Sequence, residues 1–142
     1  MVNNCSILDI EKIKYLGTLI NNNFNKVNNL EELIDKKQII GYYDDNKLVA
    51  FLIYEQNYEI IDLIYIVVEP IYRRKNIGFT LIKHLIDNYN FLKIMLEVRC
   101  DNVNAIKLYK KFNFKIINIR KNYYGNMDAF VMEMMKWKMY IY

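Results

Sequence analysis

The 142-residue sequence predicts an α/β protein built on a central mixed β-sheet flanked by helices. Three observations predict it. Apolar residues recur at helical spacing in some segments and form strand-sized runs in others. A strand, a helix and a strand follow one another across residues 58–98, which implies a crossover and parallel neighbours. Both flanks of that unit read as hairpins, which supply antiparallel pairs. A domain usually takes about 100–200 residues, so one domain over residues 1–142 is expected.

The elements follow in order. Asp9 can cap a helix in which Ile10, Ile13, Leu16 and Ile20 share a face. The Asn-rich stretch 21–29 breaks that helix. Asn29 can cap a second, short helix over 30–37, with Glu31 and Glu32 in the favoured first turn. Residues 39–43 read as a strand, Asp44-Asp45-Asn46 as a turn, and 47–55 as the returning strand. Residues 58–68 form a long apolar strand ended by Glu69-Pro70. Leu81, Ile82, Leu85 and Ile86 predict a helix over 77–89. A buried strand over 93–98 and a helix over 104–112 come next. Strands over 114–124 and 129–136 are joined by a Gly125-Asn126 turn. The apolar tail from Met134 to Tyr142 reads as an extension of the last strand.

Composition excludes several classes. A chain that is 54% hydrophobic and 25% charged can offset its ordering entropy, so it is not disordered. Four Gly and one Pro exclude a collagen-like or linker protein. No apolar run reaches the roughly 18–20 residues of a membrane span, so no membrane partner is expected. The first residues lack a basic region followed by an apolar stretch, so no secretory signal is expected. Net charge is +4 and spread along the chain. It predicts no nucleic-acid partner but suits an anionic small ligand. Cys5 and Cys100 are too few for a disulfide framework and lack zinc-like spacing. They read as free thiols of a cytoplasmic protein with no metal. The only histidine, His84, sits mid-helix and reads as a surface or packing residue. The sequence carries no signal of oligomeric state.

Chemistry concentrates in two segments. The first is Val67-Val68-Glu69-Pro70-Ile71-Tyr72-Arg73-Arg74-Lys75-Asn76-Ile77-Gly78. A strand runs into a basic loop, and the loop opens a helix. A helix N-terminus offers about four free backbone N–H groups and a partial positive charge. With Arg73, Arg74 and Lys75 added, the place suits a phosphate. It is neither a Walker loop nor a dinucleotide fingerprint, because the Gly-Lys-Ser/Thr and three-glycine patterns are missing. It resembles the acetyl-CoA pyrophosphate loop of the GNAT acyltransferase superfamily, Arg/Gln-x-x-Gly-x-Gly/Ala. Arg73 to Gly78 matches that loop, with Asn76 at the place of the first Gly.

The second segment, Leu96 to Phe114, resembles the other half of the same family. There a strand ends, an Asn opens a helix, and Leu-Tyr lies within it; Asn113 stands at a Gly place. Within the superfamily, four features are similar to the ribosomal-protein alanine N-acetyltransferase branch: Leu96-Glu97-Val98-Arg99, Leu108-Tyr109, Arg120-Lys121-Asn122-Tyr123-Tyr124, and Asp128-Ala129 followed by Met132.

The resemblance implies a GNAT fold whose sheet splays between the strands 58–68 and 93–98. Acetyl-CoA would lie along Ile66, Val67 and Val68. Its pyrophosphate would meet the loop of Arg73, Arg74, Lys75, Asn76, Ile77, Gly78 and Phe79, and its acetyl end would face Asn102 and Tyr109. Glu97 would be the general base and Tyr109 the general acid, with Tyr123 and Tyr124 beside a peptide acceptor. The implied reaction is direct acetyl transfer to a primary amine, the N-terminal α-amino group of a ribosomal protein. The branch's Pro-Trp-Ser stretch is replaced by Asn22-Asn23-Phe24-Asn25. That leaves a small amine (a polyamine or an antibiotic) as the alternative acceptor, beside a non-catalytic CoA- or peptide-binding module.

The residues themselves leave alternatives open. Glu97 lies in the apolar run Ile94 to Val98, where a carboxylate is costly unless paired or functional. It is either a base or the partner of Arg99, two residues on along the same strand face. Asp62 is a rival base. Tyr109 is either a core phenol or an acid, and Tyr123 and Tyr124 are either hairpin packing or acceptor contacts.

Overall fold

The computed structural model describes residues 1–136. Its strands are β1 (Val2–Asn4), β2 (Ile39–Asp44), β3 (Lys47–Asn57), β4 (Ile60–Val68), β5 (Lys93–Arg99), β6 (Lys115–Tyr124) and β7 (Met127–Met135). Its helices are α1 (Ile10–Ile20), α2 (Phe24–Val27), α3 (Leu30–Asp35), α4 (Ile77–Asn88) and α5 (Val103–Lys110). The strands form one sheet in the order β1-β2-β3-β4-β5-β7-β6. β4 and β5 pair in parallel, while β1–β2, β2–β3, β5–β7 and β6–β7 pair antiparallel, so the sheet is mixed as expected. Two compact units make up the chain. One takes Met1–Tyr54 and Tyr65–Tyr89; the other takes Glu55–Ile64 and the chain from Asn90 on.

In the first unit, Ile13, Leu16, Phe24, Leu30, Ile39, Phe51 and Val67 belong to one buried apolar cluster. The helical face of α1 supplies Ile13 and Leu16 to it, as the spacing predicts. Asp9 does not act as the α1 cap that its position suggests. Its carboxylate accepts the Ser6 N–H at 2.8 Å and the Tyr43 hydroxyl at 2.7 Å. It thereby completes a capping box on the preceding turn, Ile7–Asp9. Asn29 does cap α3, accepting the Glu32 N–H at 3.2 Å.

The Asn-rich stretch ends α1 but is not irregular throughout, because α2 lies within it. Phe24 at the start of α2 is fully buried, with ring centroids 5.9 Å from Phe51 and 5.0 Å from Tyr65. Gly17 of α1 makes room for it, since a Cβ at Gly17 would overlap the Phe24 ring. Asn28 closes α2, its amide donating to Phe24 O at 2.8 Å and to the Tyr65 hydroxyl at 3.2 Å. Cys5 is buried beside this cluster, and burial pushes its thiol up to about 12.

In the second unit, β5 alternates strictly. Ile94, Leu96 and Val98 are buried on one face, while Lys93, Met95 and Glu97 are half-buried on the other. Tyr109, Phe114, Met132 and Met134 are also buried, and the Tyr109 and Phe114 rings lie 5.7 Å apart. β4 pairs with β5 over three residues, Ile60↔Lys93 to Asp62↔Met95. The β6–β7 hairpin turns at Gly125, φ 70°, and Asn126, as the sequence predicts. Of the expected extension of the last strand, residues 137–142 lie outside the described residues. No helix among the described residues is long and apolar enough to cross a membrane.

Candidate active site

The first unit holds the predicted phosphate loop. β4 ends at Val68, and Pro70 opens a 3₁₀ turn, Pro70–Tyr72, at a position where a missing N–H is harmless. The turn is closed by Tyr72 N–H to Glu69 O at 2.9 Å and Arg73 N–H to Pro70 O at 3.2 Å. Two residues of the loop are left-handed, Arg74 at φ 63° and Asn76 at φ 59°. Asn is among the few residues that take this conformation at small cost, which is why it can stand at a glycine place. The first N–H bonded to Asn76 O is that of Thr80, at 3.0 Å. The leading N–H groups of Ile77 and Gly78 therefore precede the helical ladder, at the positive end of α4.

Arg73, Arg74, Lys75 and Asn76 are exposed, Ile77 is buried and anchors the helix, and Gly78 and Phe79 are half-buried. The three cations are not equivalent. Arg73 Nε donates to Val68 O at 3.1 Å, tying the loop back to the strand end. That bond occupies the carbonyl of Val68, one of the three strand residues expected along the cofactor. Lys75 lies over the Tyr72 ring at 5.3 Å. Val67 is buried, and Ile66 and Val68 are half-buried. His84 sits on α4 beside Asn88 and the Tyr89 ring.

The second unit holds Glu97, and the Arg99 partnership does not form. Arg99 grips Asp101 with two bonds of 3.0 Å. Two charged residues separated by a turn can close on each other, whereas neighbours on one strand face point away in parallel. Glu97 pairs instead with Arg120 of β6, whose Nη1 lies 2.6 Å from Oε1. The other carboxylate oxygen, Oε2, is buried and has no hydrogen-bond partner among the described residues. Asp62 is half-buried, and its carboxyl is raised by burial and by the negative charges of Glu55 and Glu97.

Around this carboxylate the β6 aromatics are ordered. Tyr123 and Tyr124 meet edge to face, 5.0 Å apart. Arg120 lies 4.1 Å from the Tyr123 ring centroid, and Arg99 lies 5.9 Å from that of Tyr124. Tyr124 is raised by burial first and by Glu97 next. Tyr109 is buried on α5, and burial, with Tyr124 adding, holds its hydroxyl well above the usual range. It therefore stays a proton-bearing phenol throughout neutral pH. Asn102 has a structural role, because its side-chain oxygen accepts the Ala105 N–H at 3.2 Å and caps α5. Cys100 lies against Met127, their sulfurs 3.4 Å apart. The second unit thus gathers Glu97, Asp62, Tyr109, Tyr123 and Tyr124, and adds Arg120. The sequence signal for Arg120 was the basic pair Arg120-Lys121 ahead of the aromatic pair, which says nothing of what it meets.

Known proteins match both units. Over 95 residues the sequence is 37% identical to the ribosomal protein bS18-alanine N-acetyltransferase of Escherichia coli K12, covering 62% of this chain and 64% of that enzyme. The chain therefore matches under two thirds of that relative's length. The structure resembles a Bacillus cereus GNAT-family acetyltransferase with TM-score 0.84 and 22% identity, over 96% of each chain. It resembles the Escherichia coli ribosomal-protein-S18-alanine N-acetyltransferase with TM-score 0.77 and 25% identity, over 95% of this chain and 92% of that one. The profile of the acetyltransferase (GNAT) family matches residues 9–114, a span that takes in the basic loop, Glu97 and Tyr109 alike, and the chain belongs to that family.

Proposed function

We propose that the protein transfers the acetyl group of acetyl-CoA directly to a primary amine, the α-amino group of a protein N-terminus. The observation that carries the reading is Glu97, a carboxylate on an apolar strand with one oxygen held by Arg120 and the other without a hydrogen-bond partner among the described residues. Family membership supports the reaction, and the name of the bS18-alanine relative supports the acceptor.

The loop Arg73 to Phe79 would take the pyrophosphate, with Arg74 and Lys75 supplying the more available charge. The pantetheine arm would run along Ile66, Val67 and Val68. Asn102 would offer its amide N–H groups, since its oxygen is engaged in the cap. Glu97 removes a proton from the acceptor ammonium, and the freed amine attacks the thioester carbonyl. The tetrahedral species then expels the CoA sulfur as the C–S bond breaks, and its nitrogen gives up a second proton to solvent, so that a neutral amide remains. Tyr109 is held above its ordinary 10.0, so full proton transfer to a thiolate is uphill. Its phenol stabilises the departing sulfur by hydrogen bonding, and solvent supplies the final proton. Tyr123 and Tyr124 would flank the peptide.

A second acceptor class is favoured by one observation, the raising of the Asp62 carboxyl by burial and by the charges of Glu55 and Glu97, an acidic group that suits a small polycationic amine. A panel separates the two: acetyl-CoA with N-terminal peptides, lysine peptides, polyamines and aminoglycosides. The proposal predicts that an N-terminal peptide has the highest kcat/KM and is acetylated on its α-amine. Preferential turnover of a polyamine or an aminoglycoside defeats it.

A further inference from the structure

We propose that Arg120 is a positioning residue of the reaction: it fixes one oxygen of Glu97 so that the other is the oxygen that receives the acceptor's proton. The inference rests on the reading of Glu97 as the base. It starts from the register of the sheet. Arg120 on β6 and Arg99 on β5 both pair with Ala129 on β7, and Glu97 pairs with Val131. Paired residues point to the same face, so Arg120 and Glu97 share a face with one strand between them. Ala129, the β7 partner of Arg120, carries a single methyl, and Glu97 lies diagonally across, opposite Val131. An arginine is long enough to span a strand over an alanine, and its Nη1 reaches Oε1 at 2.6 Å.

Three further observations argue against a plain surface ion pair. Arg120 is about half exposed, where a pair contributes little to stability. Its guanidinium is nevertheless fixed from a second side by the Tyr123 ring, 4.1 Å away. The other Glu97 oxygen is shielded and has no partner among the described residues, an arrangement that calls for a reason beyond stability. Holding Oε1 leaves the carboxylate one orientation, and Oε2 then stands as the acceptor. The charge that Arg120 brings also opposes the repulsion between Glu97 and Asp62 on β4.

The test is a double-mutant cycle read in steady-state kinetics. kcat and KM are measured for acetyl-CoA and an N-terminal peptide with wild type, Arg120→Gln, Arg120→Lys, Glu97→Gln and the Arg120→Gln/Glu97→Gln double variant. Misplacing a reacting group by about an ångström can cost about a hundredfold, so Arg120→Gln is expected to lower kcat by about tenfold to a hundredfold. KM for acetyl-CoA stays unchanged, and Arg120→Lys restores part of the rate. In the Glu97→Gln background, Arg120→Gln has no further effect. An equal loss in both backgrounds, a loss confined to KM, or an unchanged kcat in Arg120→Gln overturns the positioning role. Full activity in Glu97→Gln overturns the base reading first and this inference with it. A slow Glu97→Gln beside an unaffected Arg120→Gln removes only the role of Arg120.

Discussion

Asn76 and Asn113 occupy places where the resembling loops carry glycine, and both have positive φ, 59° and 65°. A side chain in this region costs roughly 1–2 kcal/mol, and asparagine tolerates it better than most residues. Asn76→Ala is therefore expected to lower unfolding free energy by about 1 kcal/mol in urea titration, and Asn76→Gly to leave it nearly unchanged. Equal losses in the two variants would show that the asparagine side chain, not the backbone conformation, is what the loop requires. These positions were legible in the sequence because each stands where the resembling motif carries glycine, and asparagine tolerates the left-handed region. The partner of Glu97 was not. Sequence spacing offered Arg99, yet Arg99 closes on Asp101, and the real partner lies 23 residues on. A pairing made across an intervening strand depends on register, which no local pattern encodes.

Helices and strands of ordinary length were legible because their apolar periodicity runs over several turns or pleats. The helix α2 was not, since four residues carry no period and Phe24 is its only large aromatic among asparagines. Its stability is tertiary: Phe24 fills the space left by Gly17 and meets Phe51 and Tyr65. Phe24→Ala is expected to cost about 3–5 kcal/mol, read as a lowered urea midpoint. A loss below about 1 kcal/mol would mean that the site collapses around the smaller residue. Asn102 combines a visible role with a proposed one. Asn102→Ala removes the α5 cap and is expected to cost about 1 kcal/mol, while Asn102→Asp keeps the cap oxygen. If the amide also holds the cofactor, both variants weaken CoA binding in calorimetry. Weakening in the alanine variant alone would confine Asn102 to the cap.

At the scale of the whole molecule, the sequence predicted the mixed sheet and most element bounds. It did not yield the order in which β7 inserts between β5 and β6, because that choice is made by long-range pairing. Glu55 and Glu97 place negative charge near Asp62 of β4, and this makes a pH prediction. Asp62 is raised above its ordinary 3.8 in the folded chain, so the folded state binds its proton more tightly than the unfolded state does. Stability is then lost as pH climbs from that ordinary value through the raised one. Asp62→Asn is expected to raise Tm at neutral pH and to make no difference in acid below 3.8. A gain that is constant with pH would point to packing rather than charge.

The central claim is that Glu97 drives acetyl transfer from acetyl-CoA to an amine. Its most direct test is the release of free CoA thiol with an N-terminal alanine peptide, wild type against Glu97→Gln, with the acetylated atom located by mass spectrometry and CoA binding checked by calorimetry. Wild type is expected to acetylate the peptide at its α-amine. In Glu97→Gln, kcat is expected to fall by about a hundredfold or more, with CoA still bound. A wild-type protein that binds CoA yet acetylates no amine, or a Glu97→Gln variant as fast as wild type at saturating substrate, would contradict the claim.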